Sequence, residues 1–120
     1  MTLSDTGCSI VPYFQIHQGK EAAFRELCQR FINRTQEEEK CLYYGFSFSG
    51  DKAHCREAYT DAEGVLFHLD NVAALLEESL QIADLIQLEI HGPETELEKL
   101  REPLAKLNPE FFVLEGGFRN

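Results

Sequence analysis

The chain has 120 residues, 43% of them apolar, and 11 Lys and Arg against 21 Asp and Glu give it a formal charge of −10. A chain of this length buries roughly two thirds of the surface that its unfolded form exposes, so it is expected to fold as one domain, 1–120, without a disulfide or metal staple. The acidic balance argues against nucleic acid, whose affinity is built from Lys and Arg neutralising phosphates. The absence of any long apolar run argues against a membrane span or secretory signal and predicts a cytoplasmic protein.

From Cys8 to His17 the residues alternate, with Ile10, Pro12, Phe14 and Ile16 on one face and Val11, Tyr13 and Gln15 on the other, which reads as a strand. Pro12 suggests that it is an edge strand or carries a bulge. Gly19 ends it. Phe24, Leu27, Cys28 and Phe31 then recur at helical spacing up to about Gln36, and the run Glu37-Glu38-Glu39-Lys40 reads as the solvated end of that helix, with no role. Cys41 to Phe48 alternates with Leu42, Tyr44, Phe46 and Phe48 on one face, and across Ser49-Gly50-Asp51 it pairs with a shorter strand from Ala53 to Tyr59.

Thr60 and Glu63 have the spacing of a capping box and open a second long helix through Val65, Leu66, Leu69, Val72, Ala73 and Leu76, although Gly64 inside it is unfavourable. A further strand runs from Leu85 to His91 with Ile86, Leu88 and Ile90 on one face. Gly92-Pro93 leads into a third helix lined by Leu97, Leu100, Leu104 and Leu107, which Pro103 kinks or shortens. Phe111 to Glu115 reads as a short last strand.

The order βαββαβ, then α and a short β, predicts an α+β, ferredoxin-like fold: an antiparallel sheet with helices packed on one face. The other face carries Val11, Tyr13, Tyr43 and Leu85, where a sheet facing water would alternate with polar residues, so a second copy is expected to cover it in a homodimer.

Two passages carry a family likeness. Ile16-His17-Gln18-Gly19-Lys20-Glu21-Ala22-Ala23-Phe24 is similar to a first strand followed by a Gly-Lys turn into a helix with an early Phe. Glu57-Ala58-Tyr59-Thr60-Asp61, leading to Leu66-Phe67-His68-Leu69, is similar to a strand ending in Glu-x-aromatic followed by a helix bearing a His. In this order the sequence resembles the antibiotic biosynthesis monooxygenase family of dimeric α+β barrels over residues 8–92, with 93–120 as an extension. Tyr59 stands where several active members place a Trp, and the chain has no Trp, which argues against the haem-degrading branch.

The chemistry that follows from this resemblance needs no cofactor. A base takes a proton from a reduced aromatic or quinol-type compound, and the resulting anion passes an electron to oxygen. His68 is the candidate base, with Glu57 as a possible orienter on the same strand face as Tyr59. Tyr59 is the candidate group that orients or protonates an oxygen. Phe24, Tyr44, Phe46 and Leu69 are candidate walls of a small-molecule pocket between sheet and helices. No metal is expected, since His17, His54, His68 and His91 show no ligand spacing, and Cys8, Cys28, Cys41 and Cys55 read as free thiols. Two alternatives use the same scaffold: a non-catalytic small-molecule-binding or stress-associated barrel, and an oxygen-independent isomerase or other acid–base enzyme.

Overall fold

A computed structural model describes residues 5–120. Its elements in chain order are β1 (Cys8–Ile16), α1 (Glu21–Thr35), β2 (Cys41–Ser49), β3 (Lys52–Tyr59), α2 (Ala62–Asn71), α3 (Ala73–Ser79), β4 (Ala83–Gly92), α4 (Glu94–Leu97) and β5 (Glu110–Val113), with one 3-10 turn over Ala105–Leu107. The five strands lie in the order β2-β3-β1-β4-β5. The first four pair antiparallel and β5 runs parallel to β4, so the fold is the expected ferredoxin-like α+β plan with one added strand. Among the described residues no helix is long and apolar enough to cross a membrane.

Burial alternates without a break along β1, putting Ile10, Phe14 and Ile16 under the helices with Phe24 and Cys28 of α1 and Ala62 and Val65 of α2. Phe24, Ile90, Leu97 and Leu100 are almost fully buried; side chains of this kind each contribute roughly 1.5–3 kcal/mol when removed from water. Gly19, at φ +81°, makes the tight turn from β1 into α1 in a conformation that glycine adopts without steric cost.

Several local expectations are corrected. Pro12 marks no edge, since β1 lies between β3 and β4, and of the two expectations for it the bulge is the one that holds, just beyond it in β1. The β1–β3 pairing lapses at Val11 and Pro12, and the His54 ring hydrogen-bonds the Pro12 carbonyl at 2.8 Å, using an acceptor that the interrupted ladder leaves free. The β1–β4 register shifts between Tyr13 and Phe14. That bulge inserts one residue into β4 and reverses the expected faces there: Leu85 turns toward the helices beside Phe14, and Ile86 is 51% exposed.

The second long helix is two helices, broken at Val72. Its N-cap is Asp61 rather than Thr60: the Asp61 carboxylate accepts from the Gly64 N–H at 2.9 Å and pairs with Lys40 at 2.8 Å. The Glu96 carboxylate accepts from the Ala62 N–H at 2.9 Å, so an acidic residue of the C-terminal segment satisfies another orphan donor of the same helix end. Gly64 is a packing requirement, because a Cβ there would lie 2.9 Å from Lys40 Cβ and 3.1 Å from Tyr59 Cβ. The third helix is a single turn, Glu94–Leu97, followed by turns and the 3-10 segment. Leu97, Leu100 and Leu104 still reach the core, so the apolar spacing holds where the helix itself does not.

On the face away from the helices, Tyr13 stacks on His54, His91 stacks on Phe112, and Arg56 lies over Tyr43. Leu42 and Tyr43 are about half exposed there.

Candidate functional site

Strand β3 places Ala53, Cys55, Glu57 and Tyr59 on its buried face, and α2 lays His68 against them. The Tyr59 ring lies tilted at 37° to His68 with 5.0 Å between centroids, and Tyr44 of β2 stands 5.3 Å from the same imidazole. The Tyr59 hydroxyl donates to Glu57 Oε1 at 2.7 Å. His68 Nε2 faces Glu57 Oε1 at 3.4 Å, longer than a normal hydrogen bond. On the other side of the ring, His68 Nδ1 bonds Glu38 Oε2 at 2.9 Å, and the Asn71 amide donates to that same oxygen at 2.9 Å.

Glu38 is the residue that sequence reasoning missed. It falls in the acidic run read as a solvated helix end, yet its side chain is only 2% exposed and that of His68 only 3%. The chain turns back just after α1, where the Glu38 N–H donates to the Thr35 carbonyl at 2.9 Å, and this swings the carboxyl inward. A signal did exist: His68 and Asn71, three apart on α2, share a helix face, and a buried face carrying two polar side chains calls for a polar partner.

The electrostatics follow from burial. Glu57 is pushed up from 4.5 to about 7, chiefly because its ionised form loses water; the Tyr59 and Cys55 hydrogen bonds work against this, and the Glu38 charge adds to it. His68 is lowered, again chiefly by desolvation, with Glu38 pulling the other way. Burial raises the Tyr44, Cys55 and Tyr59 hydrogens well above their ordinary range, with the Glu57 charge adding to the rise. These three groups keep their protons at any ordinary pH, so Glu57 and His68 are the groups at the cavity wall left to gain or lose a proton.

Beside this cluster lies a cavity between sheet and helices with a free volume of about 50 Å3, room for a few waters. Phe24, Tyr44, Phe46 and Leu69 line it, together with His68, Glu57 and Cys55. Tyr59 does not: it is fully buried behind Glu57. Leu104 and Leu107 of the C-terminal segment complete the wall, so the extension closes the cavity. Apart from Tyr44, Cys55, Glu57 and His68 its lining is apolar.

His17 pairs with Asp84 and His91 with Glu89, both at partly exposed positions, and His54 is taken by Pro12. Among the described residues no group of three or more His, Cys, Asp or Glu side chains is arranged to hold a metal ion. The four cysteines are free thiols.

Neither a family model nor a curated protein matches the sequence. Among solved structures, MupZ from Pseudomonas fluorescens is 46% identical over 100% of this chain and 94% of its own, with a TM-score of 0.95. A putative antibiotic biosynthesis monooxygenase from Nitrosomonas europaea superposes with a TM-score of 0.68 at 13% identity, over 77% of this chain and 94% of its own. A conserved protein from Methanosarcina mazei Go1 gives 0.64 at 23% identity, over 72% of this chain and 90% of its own. The last two share the fold.

Proposed function

We propose that this chain, which belongs to the same family as MupZ from Pseudomonas fluorescens, is an acid–base enzyme that moves a proton on a small, largely apolar molecule carrying one oxygen function. The observation that carries this reading is Glu57, a carboxyl buried at the cavity wall and pushed up to about 7, which holds or releases its proton near neutral pH. A general acid or base works best when its pKa lies near the operating pH.

In this reading Glu57 exchanges a proton with the substrate, and His68 Nε2 takes up or returns that proton beside it. Tyr44, which keeps its own hydrogen, donates a hydrogen bond that orients the substrate oxygen. Phe24, Phe46 and Leu69 hold the apolar body. Tyr59 acts through Glu57: its 2.7 Å hydrogen bond fixes the carboxyl and favours the ionised form. The substrate enters beside Leu104 and Leu107, which complete the cavity wall. The enzyme works in the cytoplasm as a homodimer whose second copy covers the Tyr13, Tyr43 and His54 face of the sheet.

The second reading is cofactor-independent monooxygenation, the activity expected of an antibiotic biosynthesis monooxygenase. The aromatic wall of Phe24, Phe31, Tyr44 and Phe46 favours it, since that wall suits a reduced aromatic compound. The test is to incubate the purified protein in D2O with a panel of cyclic ketones, naphthols, hydroquinones and anthrones, following deuterium incorporation by NMR and oxygen uptake by electrode. The expected result is incorporation that falls sharply in Glu57→Gln, without oxygen uptake. Uptake that needs native protein would establish the second reading. Thermal stabilisation by a panel compound without either reaction would make the protein a binding module.

A further inference from the structure

His68 has a glutamate on each ring nitrogen, and the two contacts differ. Nδ1 lies at hydrogen-bond distance, 2.9 Å, from Glu38 Oε2, while Nε2 lies 3.4 Å from Glu57 Oε1. A neutral imidazole carries one N–H, and its place follows from which nitrogen has an acceptor within reach.

Asn71 decides which it is. Its amide nitrogen faces two acceptors, Glu38 Oε2 at 2.9 Å and the Arg34 carbonyl at 3.4 Å. Turning the amide over would set its oxygen against both. The Arg34 guanidinium in turn donates to the Asn71 backbone carbonyl at 3.1 Å, so the end of α1 and the end of α2 hold each other in place. Glu38 Oε2 receives the Asn71 hydrogen and stands there as an acceptor, so the hydrogen of its contact with His68 belongs to Nδ1. On the far side of the ring, Glu57 Oε1 already accepts from the Tyr59 hydroxyl at 2.7 Å. With no hydrogen on Nε2, that contact sets lone pair against lone pair, in keeping with its length.

We propose that Glu38 and Asn71 are positioning residues that hold His68 in its Nδ1–H form, so that Nε2 presents its lone pair on the cavity side. The inference rests on the acid–base reading of the site and adds the residues that make His68 a base. The orienting carboxylate that the sequence suggests in Glu57 is Glu38 instead. Neither Glu38 nor Asn71 lines the cavity, so both act through the imidazole. Burial lowers His68, with Glu38 pulling the other way, which leaves the resting ring neutral and its lone pair available.

The protons balance at one nitrogen. Nε2 takes up a proton beside Glu57, the Nδ1–H stays on Glu38, and the imidazolium so formed has a carboxyl oxygen behind it. When Nε2 returns the proton, the ring is back in its starting form. A ring resting with its hydrogen on Nε2 would have nowhere on that side to receive one.

The test needs no substrate. Long-range proton–nitrogen correlation NMR at pH 8 on nitrogen-15-labelled protein reads which ring nitrogen carries the hydrogen, with the His68 signals assigned by their absence in His68→Gln. Wild type is expected to favour the Nδ1–H form roughly tenfold, the bias that one hydrogen bond supplies. Glu38→Leu, with a thermal melt to confirm folding, removes the acceptor and is expected to move the hydrogen to Nε2, where Glu57 accepts it. Glu38→Gln is expected to keep the wild-type form, because its amide oxygen can take both donors. A wild-type ring with its hydrogen on Nε2 would overturn the assignment whether or not the variants fold, and so would a folded Glu38→Leu protein that keeps the Nδ1–H form. With any compound that exchanges deuterium, Glu38→Leu is expected to lower kcat roughly hundredfold with little change in KM. The Glu57 titration, read in the same samples by carbon-13 NMR of the carboxyl, separates the two failures: a midpoint near 7 leaves the acid–base reading standing, and an ordinary carboxylate midpoint removes that reading itself.

Discussion

The most informative perturbation is Glu57→Gln, read as stability against pH. Glu57 moves from 4.5 in the unfolded chain to about 7 in the fold, so at 1.36 kcal/mol per pH unit its ionised form costs about 3 kcal/mol more in the folded protein. The sign follows from proton counts. Below pH 4.5 the carboxyl is neutral in both states and costs nothing. Between 4.5 and about 7 the unfolded chain releases the proton while the folded protein keeps it, so stability falls as pH rises; above about 7 the loss is complete and the curve levels.

Glutamine is neutral throughout, fits the same volume and can still accept from the Tyr59 hydroxyl. The variant should therefore match wild type near pH 4 and exceed it by up to about 3 kcal/mol at pH 8, roughly 10 °C in Tm for a chain of this size. His68, held below its ordinary range by burial, costs stability as pH falls, but does so in both proteins and largely cancels in the difference. Urea titrations at half-unit steps from pH 4 to 8 make the measurement. Parallel curves across the whole range would refute the assignment of a buried, proton-holding Glu57.

Gly64→Ala should destabilise the protein by about 1–3 kcal/mol despite alanine's higher helix propensity, because the new Cβ meets Lys40 and Tyr59; a thermal melt at or above wild type would contradict the close approach. Glu96→Ala strips the acceptor from the Ala62 N–H and the partner from Lys99, and should cost about 1–2 kcal/mol by denaturant titration. Cys8 and Cys28, each pushed up to about 12 by burial, should resist alkylation in the native protein at pH 8 and react once it is unfolded; rapid native labelling of either would show that the core opens there. The protein should sediment as a dimer at micromolar concentration, and Tyr43→Glu, placing a charge on the open sheet face, should shift it to monomer. A wild-type protein that stays monomeric would remove the second copy from that face.

The legible part of the fold was whatever periodicity controls. Alternation along β1 and β3 put Ile10 and Phe14 on one face and Cys55, Glu57 and Tyr59 on another, and helical spacing put Phe24 and Phe31 on the buried side of α1. Effects set by one extra residue or by distant partners were not legible. The bulge between Tyr13 and Phe14 exchanges Leu85 and Ile86 between the faces of β4, and no local pattern announces it. The N-cap shifted from Thr60 to Asp61 because Lys40 and Glu96, far apart in sequence, converge on that helix end.

At the site, His68 and its strand neighbours could be read from spacing and resemblance. Glu38 was missed, because a carboxylate in an acidic run looks solvated until the turn after α1 folds it under Asn71 and His68; the paired polar residues of α2 signalled a polar partner but not which one. Tyr59 was placed on the correct face but one layer too near the ligand, since its hydroxyl is committed to Glu57. The role of residues 93–120 was open in the sequence; the structure shows Leu104 and Leu107 of that segment supplying a wall of the cavity.

The central claim is that a carboxyl at the cavity wall carries its proton at neutral pH. Carbon-13 NMR of glutamate side-chain carboxyls, followed from pH 4 to 9 with the Glu57 signal assigned by its absence in Glu57→Gln, reads it directly. A midpoint near 7 is the result expected from the buried Glu57–Tyr59–His68 arrangement. A midpoint in the ordinary carboxylate range would show that Glu57 is already ionised well below neutral pH, and would leave the site without the group that moves the proton.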